Sequence, residues 1–383
     1  MRIVVATYPD RAHFFGMVPT AWALRAAGHE VRIGTGPSMT DAAADTGLTV
    51  MPVGESADGA TEDAAAGPAG RGRAAWWSAV NDPLVTDLVA VCREWEPDLV
   101  LWESATLAGA IAAEAVGAAH GRFLAGSDPL VHGRAAAGDA GPGTPRAWLE
   151  ETAPRFGVSP SDSLLLGRFS VHQLPEGLRS EVREAEGPRL SVRPVPYRGA
   201  ASLPSWARGE AAGPRVLVDW SSWDRSAEGS ELLAAAATGL DAELVVLCPA
   251  GREEELPSLP EDVRVADASA THLLLDSASL LVHGGGFDVA CAAAAHLLPQ
   301  VAVLNPAFPD AAALMRPLVE RGCAVSLTPA EALGGALRDT VSRALAGADG
   351  TAVQALGKEV AATPAPSELV SVLEELAGAA HAS

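Results

Sequence analysis

Apolar residues follow two rhythms along this chain: short unbroken runs, and longer stretches at helical spacing between them. Arg2–Thr7 is a β-branched run and predicts a buried strand. A loop over Tyr8–Gly16 is expected next, then a helix over Met17–Ala27 with Pro19 in its first turn and Gly28 just past its end. Strand Glu30–Gly34, a helix capped by Ser38 and running through Thr46, and strand Leu48–Val53 keep the alternation going. Helix Leu84–Trp95, strand Asp98–Trp102, helix Leu107–Val116 and strand Ala119–Leu124 extend it. Ser56–Arg73 and Arg134–Pro145 are polar or rich in Gly and Pro, and both read as loops.

The stretch Pro194–Pro214 is proline-rich without periodicity and reads as an interdomain linker. Beyond it strands are expected at Arg215–Val218, Glu243–Leu247, Val263–Val265, Leu280–His283, Gln300–Leu304 and Ala324–Leu327. Helices are expected at Gly229–Leu240, Thr271–Ser277, Asp288–Leu298, Asp310–Glu320, Pro329–Ala346 and, after Pro364 and Pro366, Ser367–Ala379. Strand–helix alternation of this kind predicts an α/β class with parallel sheets covered on both faces. The expected division is a first domain over 1–195, a linker over 196–213, a second domain over 214–362, and a final helix over 363–383 free to cross the joint.

The chain has 383 residues, enough for two domains with their own cores. Its net charge of −21 argues against nucleic acid and anionic membrane surfaces as partners, although backbone N–H groups of an acidic chain still bind phosphates. Cys92, Cys248, Cys291 and Cys323 are widely spaced and suit free thiols in a reducing cytosol, so neither a disulfide framework nor a zinc site is expected. MRIVVATYPD is too short an apolar run for a signal peptide, and no stretch predicts a membrane span. A cytoplasmic protein is the expectation.

Open α/β sheets bind ligands beyond the carboxyl ends of their strands, so polar residues there are the candidates for chemistry. His13 follows the first strand and is a candidate general base; the plain alternative is a surface-loop histidine. Glu103 ends the strand begun at Asp98 on the same edge, where it would orient that imidazole or cap the next helix. Trp76–Trp77 reads as core or as the apolar wall of a pocket. His283-Gly284-Gly285-Gly286 lies between a strand and a helix, as an anion cradle of amide groups or as a tight turn. It matches neither the dinucleotide fingerprint nor the P-loop, and no G-x-S-x-G accompanies it to suggest a hydrolase. Asp310 opens a helix, where it would bond sugar hydroxyls or serve as a cap. No metal-binding constellation is visible.

HFFGMVPTAWALRAAGHEVRIGT (13–35) resembles the N-terminal signature of nucleotide-sugar-dependent glycosyltransferases from actinomycete natural-product pathways. WEPDLVLWES (95–104), YRGAASLPSW (197–206), LLLDSASLLVHGGG (273–286) and LPQVAVLNPAFPD (298–310) resemble its later blocks in order, closest to deoxysugar transferases acting on macrolide and related polyketide aglycones. The resemblance implies the GT-B fold: two Rossmann-like domains facing across a cleft, the N-terminal one holding the acceptor and the C-terminal one the nucleotide sugar. It implies inverting transfer without a metal and no cofactor beyond a TDP-sugar co-substrate. His13 matches the family's base and Glu103 its orienting carboxylate. Ser221, Ser222, His283, Gly284, Gly285, Gly286 and Asp310 fall in the donor blocks, and Phe14, Phe15, Trp76 and Trp77 on the acceptor side. A hydrophobic aglycone is the implied second substrate, and a homodimer or an activator protein an implied partner.

The family's donor loop usually reads H-H-G-G-x-G-[ST], whereas this chain reads HGGGFDV, with one histidine and with Asp288 or Val289 in place of Ser/Thr. The usual L-G-[ST]-S turn is WSSWD (220–224), and the usual D-Q is Asp310-Ala311. A second reading accompanies the first for this reason: the same fold with an altered donor site, serving as an auxiliary binding protein or in non-glycosyl chemistry.

Overall fold

The computed structural model describes the chain apart from residues 55–72, 127, 131–140, 180–185, 210, 224–226, 238, 306–310, 348–349 and 382–383. Most of the loop expected over Ser56–Arg73, much of that over Arg134–Pro145, and Asp310 lie outside the described residues. The chain forms two compact units. One is Met1–Arg193 with Thr363–Ser383; the other is Pro194–Ala362.

The first unit is built on seven parallel strands: β1 (Arg2–Ala6), β2 (Glu30–Thr35), β3 (Thr49–Pro52), β4 (Leu99–Glu103), β5 (Ala119–Leu124), β6 (Ser170–His172) and β7 (Arg189–Ser191). Their order is β3-β2-β1-β4-β5-β6-β7. β1 pairs with both β2 and β4, with Ala6 beside Trp102, so the order reverses at the β1/β4 boundary. Loops leaving two such neighbours diverge to opposite faces and open a crevice at their carboxyl ends. β1, β4 and β5 are buried almost throughout, which explains the apolar runs of β1 and β4, while β5 buries His120 and Arg122 as well. Trp77, Leu88, Trp102, Ile111 and Leu164 are fully buried in the core on one face of the sheet.

The second unit repeats the design with β8 (Arg215–Asp219), β9 (Glu243–Cys248), β10 (Arg264–Asp267), β11 (Leu280–His283), β12 (Gln300–Val303) and β13 (Ala324–Leu327), in the order β10-β9-β8-β11-β12-β13. Val216, Val218, Val246 and Val282 pack on one face, while the alternate Leu217, Val245, Leu247 and Leu281 pack on the other. Its order reverses at β8/β11, where Val218 lies beside Val282.

Several elements differ from expectation. The first helix spans Arg11–Ala26, so the expected loop is short and Pro19 sits inside the helix. Asp10 caps that helix, which lets it begin well before Gly16. The helix expected from Leu84 spans Arg73–Trp95 and includes Trp76 and Trp77. The expected helix Pro329–Ala346 is kinked at Gly335, whose φ is +97°. Strands β6 and β7 and helices Pro145–Thr152 and Thr351–Ala362 were not anticipated. Residues 196–213 group with the second unit, and helix Pro366–His381 groups with the first, packing on helix Arg11–Ala26 and on β5. Among the described residues no helix is long and apolar enough to cross a membrane.

Candidate active site

In the first unit the chain leaves β1 through Tyr8, Pro9 and Asp10 and enters helix Arg11–Ala26 with His13 in its first turn. His13 is therefore helical and not in a loop. Its backbone N–H donates to Asp10 Oδ1 at 3.0 Å, and its ring Nδ1 lies 2.9 Å from Oε1 of Glu103. Glu103 is fully buried. Its Oε1 also accepts the Ser104 hydroxyl at 2.7 Å, and its Oε2 accepts the Ala105 N–H at 2.8 Å and the Thr106 hydroxyl at 3.4 Å. Burial pushes the Glu103 carboxyl up, but the His13 charge and hydrogen bond, with Ser104 and Ala105, prevail and hold it below its ordinary value. An ionised acceptor at Nδ1 requires Nδ1 to carry the proton. The lone pair of the neutral ring then sits on Nε2, on a side chain about a third exposed.

Thr106 Oγ1 accepts the Tyr8 N–H at 2.9 Å and so stitches the two loops together. The Tyr8 ring meets His13 edge-on at 5.6 Å and Trp76 at 6.4 Å. Trp76 packs on Trp77 at 4.8 Å. Phe14 and Trp77 are wholly buried; Trp77 takes the core alternative of the two readings given for the Trp76–Trp77 pair, and Phe14, expected on the acceptor side, is buried likewise. Phe15 is 6% exposed and Trp76 8%, and it is Trp76 that reaches toward His13, through Tyr8. Asn81 fixes this arrangement: its Nδ2 donates to Trp77 O and Ala105 O, each at 3.0 Å, and its Oδ1 accepts the Ala108 N–H at 2.9 Å. Tyr8, Asp10, Asn81 and Thr106 were missed from sequence. The Asp10-x-x-His13 spacing of a helix cap was the one readable signal.

In the second unit the turn Trp220–Ser222 after β8 lies against the glycine loop after β11. The Gly284 N–H donates to Ser222 Oγ at 2.7 Å, and the Ser222 hydroxyl donates to Asp219 O at 2.7 Å. A Cβ at Gly284 would stand 2.3 Å from Ser222 O, so glycine is required there by close approach. The Gly285 N–H donates to His283 Nδ1 at 3.0 Å, and His283 Nε2 lies 3.1 Å from Gln300 Oε1. His283 is fully buried, and burial lowers its pKa, keeping the ring neutral with its proton on Nε2.

These contacts correct two expectations. His283 does not face a donor; it props the loop from below. The amides of Gly284 and Gly285 are spent inside the protein and form no open cradle. Donors suited to an anion come instead from the first turn of helix Phe287–Ala295, which has Gly286 as its cap residue and no side-chain cap. Ser221 donates to Asp219 Oδ1 and accepts from Arg198 Nη2 at 3.2 Å. Asp288 turns its charge to Arg198, with Nε and Oδ2 3.1 Å apart. Among the described residues no three His, Cys, Asp or Glu side chains gather as a metal site.

Family models described as Erythromycin biosynthesis protein CIII-like match the chain, the N-terminal domain at residues 22–72 and 69–220 and the C-terminal domain at 230–376. A 10-deoxymethynolide desosaminyltransferase of Streptomyces venezuelae is 33% identical over 419 residues, covering 98% of this chain and 97% of its own. An aklavinone 7-beta-L-rhodosaminyltransferase of Streptomyces galilaeus is 34% identical over 430 residues, covering 98% and 96%. The crystal structure of glycosyltransferase VinC in complex with dTDP superposes with a TM-score of 0.83 at 31% identity, covering 99% of this chain and 100% of that one. These likenesses do not favour the auxiliary-protein reading. The chain is a GT-B glycosyltransferase and belongs to the erythromycin biosynthesis protein CIII-like family of actinomycete deoxysugar transferases.

Proposed function

We propose that this enzyme moves a deoxysugar from a TDP-sugar to a hydroxyl of a polyketide-type natural product, by a single inverting displacement and without a metal. The observation that carries this reading is the His13–Glu103 pair at 2.9 Å, placed at the sheet reversal of the first unit. The Nε2 of His13 takes the proton of the acceptor hydroxyl as its oxygen attacks the sugar C1. Glu103, held ionised, accepts from Nδ1 and stabilises the imidazolium that forms. The bond from C1 to the diphosphate oxygen breaks on the opposite face, so the anomeric configuration inverts. TDP leaves with its new charge met by the first-turn amides of helix Phe287–Ala295. Protein donors then do the work a metal does in other transferases. The relatives' TDP complex and aglycone names support this donor and this acceptor class.

The test is transfer by the purified enzyme from a panel of TDP-deoxysugars to polyketide aglycones, with the product anomer assigned by NMR and the assay repeated in chelator. His13→Ala should lower kcat about 100-fold or more, the usual share of general-base catalysis. Full transfer by His13→Ala, a retained anomer, or loss of activity in chelator would each overturn the corresponding part of the reading.

A further inference from the structure

Arg198 leaves the proline-rich stretch and reaches under the first turn of helix Phe287–Ala295. Its Nη1 donates to Asp219 Oδ2 and to Thr271 Oγ1, each at 3.2 Å, and its Nη2 donates to Ser221 Oγ at 3.2 Å; its Nε lies 3.1 Å from Asp288 Oδ2 as an ion pair. One cation thus serves two carboxylates, and the two are not alike. Asp219 ends β8, is fully buried, and is also held by the Ser221 hydroxyl. Asp288 stands in the helix's first turn and is 21% exposed, and Arg198 is its only ion-pair partner among the described residues.

A first-turn carboxylate occupies the field that an incoming diphosphate would use, and carboxylate and phosphate present similar oxygen pairs to a guanidinium. We propose that Arg198 is a diphosphate-binding residue and that Asp288 is its internal counter-ion, which the donor's diphosphate displaces. The proposal rests on the reading that this site takes a TDP-sugar, and it adds a residue and a competition to it. Asp219 stays in place and holds the guanidinium; Asp288 turns to solvent; the Nε edge of the guanidinium passes to a phosphate oxygen. Without that exchange the diphosphate would meet two carboxylates balanced by one guanidinium.

Calorimetry with TDP, and with thymidine as the phosphate-free probe, tests this on the full-length enzyme. Asp288→Asn leaves Arg198 and Asp219 intact and should bind TDP about tenfold more tightly, the worth of one competing negative charge removed from the guanidinium. Arg198→Lys keeps the charge but loses the fork and should bind TDP about tenfold more weakly. Thymidine affinity should stay constant in both variants, which a merely structural role for the pair would not ensure. Unchanged TDP affinity in Asp288→Asn, or thymidine affinity moving in parallel with it, overturns the proposal while TDP binding by the wild type keeps the glycosyltransferase reading. If neither the wild type nor Asp288→Asn binds TDP, both fall.

Discussion

The carboxylate of Asp10 holds the main chain of His13 while that of Glu103 holds its ring, at 3.0 Å and 2.9 Å. The first contact sets where the helix begins; the second sets which ring nitrogen is basic. Asp10→Ala should cost about 1 kcal/mol of stability, as lost helix caps do, and lower kcat by letting the first turn fray. Asp10→Ser, which still caps, should recover most of both. Urea unfolding alongside steady-state kinetics checks this, and an Asp10→Ala enzyme with wild-type kcat would show that the cap does not position the imidazole.

Glu103→Gln keeps the size of the side chain and removes its charge. An amide that turns its NH2 toward Nδ1 selects the opposite tautomer, and an amide that turns its oxygen there still fails to stabilise an imidazolium. The expected result is a fall in kcat of about 100-fold or more with little change in the affinity for TDP. A rate within a few-fold of wild type would remove Glu103 from the mechanism.

Gly284→Ala places a methyl group 2.3 Å from the carbonyl oxygen of Ser222. Backbone must move, at a cost of about 1–3 kcal/mol, and the start of helix Phe287–Ala295 moves with it. Both thermal stability and TDP affinity should drop. Gly213→Ala, where nothing lies within 4 Å of the added carbon, is the control and should leave both unchanged.

Stability should fall as the medium is acidified below about pH 6.5. Burial lowers the pKa of His120, His172 and His283, in the case of His172 to about 3 with help from Arg179, Arg122 and Arg189. The unfolded chain binds these protons near the ordinary value of 6.5 while the folded chain resists them. The stabilisation is complete above that value and is lost toward the lower folded values, at up to about 1.4 kcal/mol per imidazole per pH unit. Urea midpoints from pH 7.5 to 5 should therefore decline, and more gently in His172→Gln. A flat profile would contradict the buried neutral imidazoles.

What was legible in the sequence was what burial on both faces of a parallel sheet writes into it. β11 falls where its apolar run predicts it, and β5 and β13 also fall where expected although they carry His120, Arg122 and Ser326. β6 and β7 are three residues each and carry Ser, His and Arg, so no apolar run announces them. Of the site, His13 was legible as a residue type beyond the end of one strand and Glu103 as the last residue of its neighbour. The glycine loop was legible as a place, but not as a set of bonds. Whether an amide donates to a ligand or to Ser222 depends on a turn more than sixty positions away. Arg198 sits in the quoted block 197–206, but nothing in that block announces its partners; they meet only where three separated segments converge on it.

The return of helix Pro366–His381 to the first unit has a bearing on how the protein is made. Arg193 donates its N–H to Pro364 O at 2.7 Å, and Glu374 lies 3.0 Å from His29. The ribosome delivers every strand of both sheets before it delivers the segment that covers helix Arg11–Ala26. The half of the molecule translated first is thus the last to be sealed, and His13, the proposed general base, is carried on the helix that waits longest for its cover.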